Sequence, residues 1–245
     1  MRNIKMIIQY DGSNFKGFQR LKDNDNTIQG KIEDVLSKMT EEKIEIIASG
    51  RTDMGVHALG QVANFKTKSD LSVEKMQKYL YKYLPESIVV TKIEEVDDRF
   101  HSRYNAKSKI YMYRIDNSTY HNPFNRKYTY HVDKKLDLDK MKEASKYLIG
   151  KHDFSSFASS RSKKKSHVRT IEYIKIQEKN NLVEISVKGD GFLYNMVRII
   201  VGTLIDVGQG KTKPEALKEM LEAKNRTSAC DTAPAKGLYL LDVQY

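Results

Sequence analysis

The sequence predicts an α+β fold made of two ferredoxin-like split βαβ modules with antiparallel or mixed sheets, packed around a central basic cleft. Two observations carry this expectation. The order strand, helix, strand, strand, helix, strand can be read twice along the 245 residues, which excludes a parallel doubly wound sheet. No Pro/Ser-rich linker separates the halves, so they are expected to pack tightly. The boundary is expected near Arg103 to Lys107, giving an N-terminal module over residues 1–104 and a C-terminal module over 105–245.

In the first half, "NIKMIIQYDGSNF" reads as a strand ending in a turn at Asp11-Gly12. From Thr27, Ile28, Ile32, Val35, Leu36 and Met39 recur at helical spacing. "KIEIIAS" and "GQVANFKT" read as strands around a turn, Ser72 can cap a helix that stops before Pro85, and "SIVVTKIEEV" closes the set. In the second half, "SKIYMYRIDN" is a strand, and Asp137 or Asp139 opens a helix ending at Gly150. "TIEYIKIQEKNNLVEISVKG" is a hairpin turning at Asn180-Asn181. "GFLYNMVRIIVGTLIDVG" is apolar nearly all round and predicts a buried helix. Asn195 and Arg198 within it argue against a membrane span. Pro214 suits the first turn of another helix, and "GLYLLDVQY" is the last strand.

Composition narrows the chemistry. Cys230 is the single cysteine, so neither an intrachain disulfide nor a cysteine-held zinc is available. No apolar run has the length of a signal peptide or a membrane span, which predicts a cytoplasmic chain with no membrane partner. With 43 Lys+Arg against 32 Asp+Glu the formal charge is +11, and the pI of about 9.4 passes the level that flags nucleic-acid binding. "SSRSKKKSHVR" holds five Lys/Arg and no acid, and "HSRYNAKSKIYMYR" holds four with tyrosines between them. Cations beside stacking aromatics suit a polyanion with bases. No phosphate loop, metal-ligand spacing or serine elbow is present, leaving carboxylates, arginines and tyrosines as candidates for chemistry.

The segment "GRTDMGVHA" concentrates such groups. Arg51 and Asp53 share a side of an extended segment, and a guanidinium there would hold the carboxylate ionised and oriented for attack or proton removal. Gly50 and Gly55 would permit tight backbone geometry around it. Spacing alone fits an ordinary hairpin with a surface ion pair as well.

"YDGSNFKGFQR", "GRTDMGVHALGQV", "RFHSRYNAKSKIYMYR", "FLYNMVR" and "GLYL" occur in an order and spacing that resembles the tRNA pseudouridine synthase A family over essentially the whole chain. Met54 stands where an Ala is common, and the tract "RSKKKSH" is more basic than the family pattern. The resemblance implies an isomerase whose catalytic aspartate is Asp53, with Tyr111 stacked on the target base and Arg51 and Arg198 flanking the site, Arg51 helping to extrude the nucleotide. It implies a homodimer without cofactor, acting on uridines in the anticodon stem-loop of tRNA at positions 38, 39 and 40. The basic tract, with Arg161, Lys163, Lys164 and Lys165, would track the RNA backbone.

The residue chemistry is compatible. Turning uridine into pseudouridine breaks the N1–C1′ bond and joins C5 to C1′, so no atom enters or leaves and no redox centre is required. Exposing the nucleotide costs a few kcal/mol, recoverable through phosphate contacts and stacking. Attack of Asp53 on C1′, attack on C6, and removal of a sugar proton all remain open. Tyr111 and Tyr113 alternate along one strand, so one of the two belongs to the core. Arg198 also fits a structural arginine snorkelling from its helix. Two other function classes remain to be separated: a non-catalytic RNA-binding module, and a nucleoside hydrolase or nuclease, whose products would change RNA mass or length.

Overall fold

The computed structural model describes residues 1–22, 24, 26–159 and 166–245. Its elements are α+β in class, and the chain divides into two compact units. The first comprises Met1–Lys107 and Tyr239–Tyr245, the second Ser108–Leu238.

In the first unit, strand β1 (Arg2–Tyr10) is central and pairs antiparallel with both β3 (His57–Thr67) and β4 (Ile88–Val96). Its alternation places Ile4, Met6, Ile8 and Tyr10 in the core, as a period of two requires. Helix α1 (Ile28–Thr40) is capped by the Thr27 side chain accepting from the Gly30 amide, and it buries Ile32, Leu36 and Met39. Helix α2 (Val73–Tyr83) is capped by Ser72 and buries Met76 and Leu80. Each such cap satisfies an amide that the helix itself cannot, an effect of about 1 kcal/mol. Strand β2 is only Ile47–Ala48, paired to Ala63 and Asn64 of β3. The order β4-β1-β3-β2 is the one expected for a split βαβ module. Further along the same edge of β3, the final strand β10 (Leu238–Gln244) pairs in parallel with His57 and Ala58 through Tyr239 and Leu240.

In the second unit, β5 (Ser108–Asp116) pairs antiparallel with β9 (Leu182–Gly189), and β9 with β8 (Val168–Lys179). The hairpin between β8 and β9 turns at Asn180 and Asn181, both at positive φ (53° and 60°). That is the conformation a two-residue turn needs to match strand twist. Two short strands were not expected: β6 (Tyr130–His131), alongside β5, and β7 (Gly150–Asp153), on the edge of β8. Helix α3 (Leu138–Lys146) is capped by Asp137 and ends before Gly150, which opens β7 at a φ of +105°. It packs against α4 (Met196–Gly208), of whose 13 residues ten are buried. At about 1.5–3 kcal/mol for each buried Leu, Ile or Val, this helix anchors the unit. Helix α5 (Ala216–Ala223) follows and buries Leu217 and Leu221.

Candidate active site

Asp53 lies on the irregular segment between β2 and β3, half-buried, with the Arg51 side chain exposed and Thr52 buried. The segment is held from both ends. On its N-terminal side, Ser49 Oγ donates to Gln61 Oε1 at 2.7 Å and Gln61 Nε2 donates to the Gly50 carbonyl at 2.9 Å. On its C-terminal side, the Val56 amide closes a turn onto the Asp53 carbonyl at 3.1 Å, with Gly55 at a φ of 79°. Gly50 does not adopt positive φ, so the expected backbone freedom is used at Gly55 alone. Between these ends Tyr10 at the end of β1 lies 2.7 Å from Thr52 Oγ1, both groups being buried. Burial pushes the Tyr10 hydroxyl well above its ordinary pKa, against the lowering effect of Thr52 and Gln61. It therefore remains a neutral hydrogen-bonding phenol.

The residues after β1, "DGSNFKGFQR", form a strap over the same segment. The Phe18 amide donates to the Thr52 carbonyl at 3.0 Å. Gly17, at a φ of +105°, sits so close that a β-carbon there would lie 3.2 Å from the Thr52 carbonyl oxygen and 3.3 Å from the Met54 amide. At Gly12 a β-carbon would overlap the Val56 carbonyl. The Gly12 amide donates to His57 Nδ1 at 3.1 Å, and the buried imidazole stacks on Tyr239 with centroids 4.8 Å apart. Asp11 Oδ1 also lies 3.2 Å from His57 Nδ1. An ion pair with Asp11 needs a proton on the nitrogen that accepts from Gly12. The directed amide bond to a buried ring favours the Nε2–H tautomer, and Asp11 Oδ1 is engaged by the Ser13 amide and hydroxyl.

In the second unit, β5 carries Tyr111 half-buried and Tyr113 fully buried, so Tyr113 is the core member of the pair. The Tyr111 ring meets Phe192 edge to face, 5.2 Å between centroids at 85°. Tyr113 donates to the Pro234 carbonyl at 2.8 Å. Burial raises its pKa strongly while the nearby Arg198 charge opposes the shift. Arg198, in the first turn of α4, donates through Nε to the Ala233 carbonyl at 2.7 Å and through Nη1 to Asn195 Oδ1 at 2.9 Å. Asn195, expected inside the helix, is its N-cap in the left-handed region (φ 61°). The polar head of Arg198 thus orders the turn before α4 and the chain before β10, rather than simply snorkelling. Arg161, Lys163, Lys164 and Lys165 lie outside the described residues.

The sequence matches the profile of a family described as tRNA pseudouridine synthase over residues 6–105 and 144–245. It is 54% identical over 245 residues, the full length of both chains, to "tRNA pseudouridine synthase A 2" of Bacillus cereus (strain ZK / E33L). The chain belongs to the tRNA pseudouridine synthase family. Within that family it is also 51% identical to "tRNA pseudouridine synthase A 1" of Clostridium tetani and 48% identical to "tRNA pseudouridine synthase A" of Acetivibrio thermocellus, again over both full lengths. Arg51, Asp53 and Arg198 fall inside the family match, and Tyr111 falls between its two stretches.

The sequence reading missed Phe192 and the bracing set of Tyr10, Gly12, Gly17, His57 and Gln61. For the glycines a signal was available: two in the six positions 12–17, directly after a strand, are more than one turn needs. Phe192 opens the quoted motif "FLYNMVR", but its contact with Tyr111 had no local signal, because that pairing depends on β9 bringing distant residues together.

Proposed function

We propose that this chain converts uridine to pseudouridine at positions 38, 39 and 40 in the anticodon stem-loop of tRNA, with Asp53 as the catalytic carboxylate and without a cofactor. The observation that carries this reading is the full-length identity, 48% to 54%, to proteins named tRNA pseudouridine synthase A. The geometry adds support. A half-buried carboxylate sits on a segment braced by Tyr10, Gln61 and the strap, which suits a group that must meet one sugar–base bond with fixed geometry. Arg51, two residues before Asp53, is exposed, which supports its entering the stack as the nucleotide leaves it. In the second unit, Tyr111 offers a ring steadied by Phe192 for the target base, and Arg198 supplies a cation for the substrate.

The reaction keeps the same sugar carbon, C1′, and changes the base atom bonded to it from N1 to C5, so Asp53 either bonds covalently to C1′ or C6 or takes a sugar proton. All three routes need an ionised carboxylate and a desolvated base. The proposed assembly is a cytoplasmic homodimer on tRNA, with the Arg161 to Lys165 tract tracking the RNA backbone. No helix among the described residues is long and apolar enough to cross a membrane. The test is nucleoside analysis of an unmodified tRNA transcript after incubation with the purified protein in the presence of a chelator. Pseudouridine at positions 38 to 40 with unchanged RNA mass is expected. Absence of pseudouridine, or any loss of mass, contradicts the reading.

A further inference from the structure

The loop between β5 and β6 carries two large aromatic side chains with almost nothing around them: Tyr120 is 85% exposed and Phe124 86%. The loop is nevertheless tightly organised. At its root, buried Asp116 accepts from the Ser118 amide and hydroxyl through Oδ1 and from the Asn122 amide through Oδ2. Buried Asn117 donates to the Val132 and Lys134 carbonyls and accepts from the Leu136 amide. At its tip, Asn122 Oδ1 accepts from the Phe124 amide, and the Asn125 carbonyl accepts from the Thr129 hydroxyl. Leaving a ring of this size in water forgoes about 1.5–3 kcal/mol of burial. A loop ordered by its own hydrogen bonds around outward rings is therefore built to meet something.

Charge says what. From Asn117 to Val132 there is no acidic residue, while Arg126 and Lys127 are exposed beside the rings. Aromatic faces among uncompensated cations suit unpaired bases and their phosphates. A second copy of the same loop would set like charges against each other. The loop also lies wholly within residues 106–143, outside the two stretches of the family match.

We propose that the 117–131 loop is a second RNA-contacting surface, on which Tyr120 and Phe124 stack on unpaired bases of the substrate tRNA away from the reacting nucleotide while Arg126 and Lys127 meet the adjoining phosphates. This rests on the reading of the substrate as tRNA, and direct binding measurements test it separately from the isomerisation. Two variants are compared with the wild type, Tyr120→Ser/Phe124→Ser and Arg126→Ala/Lys127→Ala. All four side chains are exposed, so both variants are expected to fold. Fluorescence anisotropy with a full-length tRNA transcript is expected to show at least a tenfold weaker Kd for the aromatic variant. For the cationic variant, the slope of log Kd against log salt is expected to fall by about 1.5, at about 0.7–0.9 per phosphate contact. Sedimentation should show unchanged mass, and single-turnover pseudouridine formation at saturating tRNA should stay near wild type. An unchanged Kd in the aromatic variant or an unchanged salt slope in the cationic one overturns the proposal. A change in oligomeric mass also overturns it, assigning the loop to a contact between protein chains. If wild type binds tRNA without forming pseudouridine and the aromatic variant still loses affinity, the loop assignment stands and the isomerase reading falls.

Discussion

The Tyr10 hydroxyl lies 2.7 Å from Thr52 Oγ1, joining the last residue of β1 to the residue beside Asp53. Both side chains are buried, so removing the Tyr10 hydroxyl deprives Thr52 Oγ1 of this bond in a place water does not reach. Tyr10→Phe is expected to cost about 1–2 kcal/mol of stability and to lower kcat on tRNA several-fold with KM near wild type. Denaturant unfolding and steady-state kinetics on one tRNA transcript check both parts.

Gly17 braces the same segment by having no side chain. Its φ of +105° and the 3.2 Å approach to the Thr52 carbonyl mean that Gly17→Ala must shift the backbone on one side or the other. A stability loss of about 1–3 kcal/mol is expected, with kcat reduced at least tenfold because Asp53 moves with Thr52. Gly210 provides the comparison: it too has positive φ (+74°), but a β-carbon there would meet nothing within 4 Å. Gly210→Ala should lose about 1 kcal/mol and keep wild-type activity. Equal kinetic effects of the two substitutions would contradict the bracing role.

Arg198 holds the Ala233 carbonyl and the Asn195 side chain with two different nitrogens of one planar group. A lysine ammonium does not reproduce that fork. Arg198→Lys is therefore expected to lower stability by about 1–2 kcal/mol and kcat/KM by more than the same stability loss elsewhere in α4 would. Thermal melts paired with kinetics for Arg198→Lys and the core substitution Ile199→Val separate the two effects.

The Asp116 carboxyl sits at the root of the 117–131 loop. Burial raises its pKa, but hydrogen bonds from Ser118 and Asn122 and the nearby His131 outweigh this and hold it below the ordinary carboxylate value. A depressed folded-state pKa contributes stability that is complete above the unfolded value, about 3.9, and is lost as the pH falls through the lower folded value. Wild type should therefore be more stable than Asp116→Asn at pH 6, with the gap closing as the pH is taken down toward 3. Melting temperatures of the two proteins across that range check it, and a gap that widens at low pH would contradict the assignment.

The parts of the fold legible in the sequence are those fixed by local chemistry. The caps at Thr27, Ser72 and Asp137, the Asn180-Asn181 turn and the apolar α4 follow from residues within a few positions of each other. What escaped depends on distant partners. "KIEIIAS" was expected to be a full strand, yet only Ile47 and Ala48 pair with β3, while Ile44 and Ile46 are buried without a ladder. The return of β10 to β3, the edge contact of Phe192 with Tyr111, and the hold of Arg198 on a carbonyl 35 residues away have no local signature. At the site, the density of groups in "GRTDMGVHA" was visible, whereas the strap that fixes it looked like a simple turn after β1.

The central claim is that Asp53 is the group that acts on the nucleotide. Asp53→Asn keeps the shape and removes the charge, so one preparation separates chemistry from binding. With an unmodified tRNA transcript under single-turnover conditions, the prediction is no detectable pseudouridine, with a Kd for tRNA within about threefold of wild type, under 1 kcal/mol. Pseudouridine formed by the Asp53→Asn protein at a rate near wild type would contradict the account.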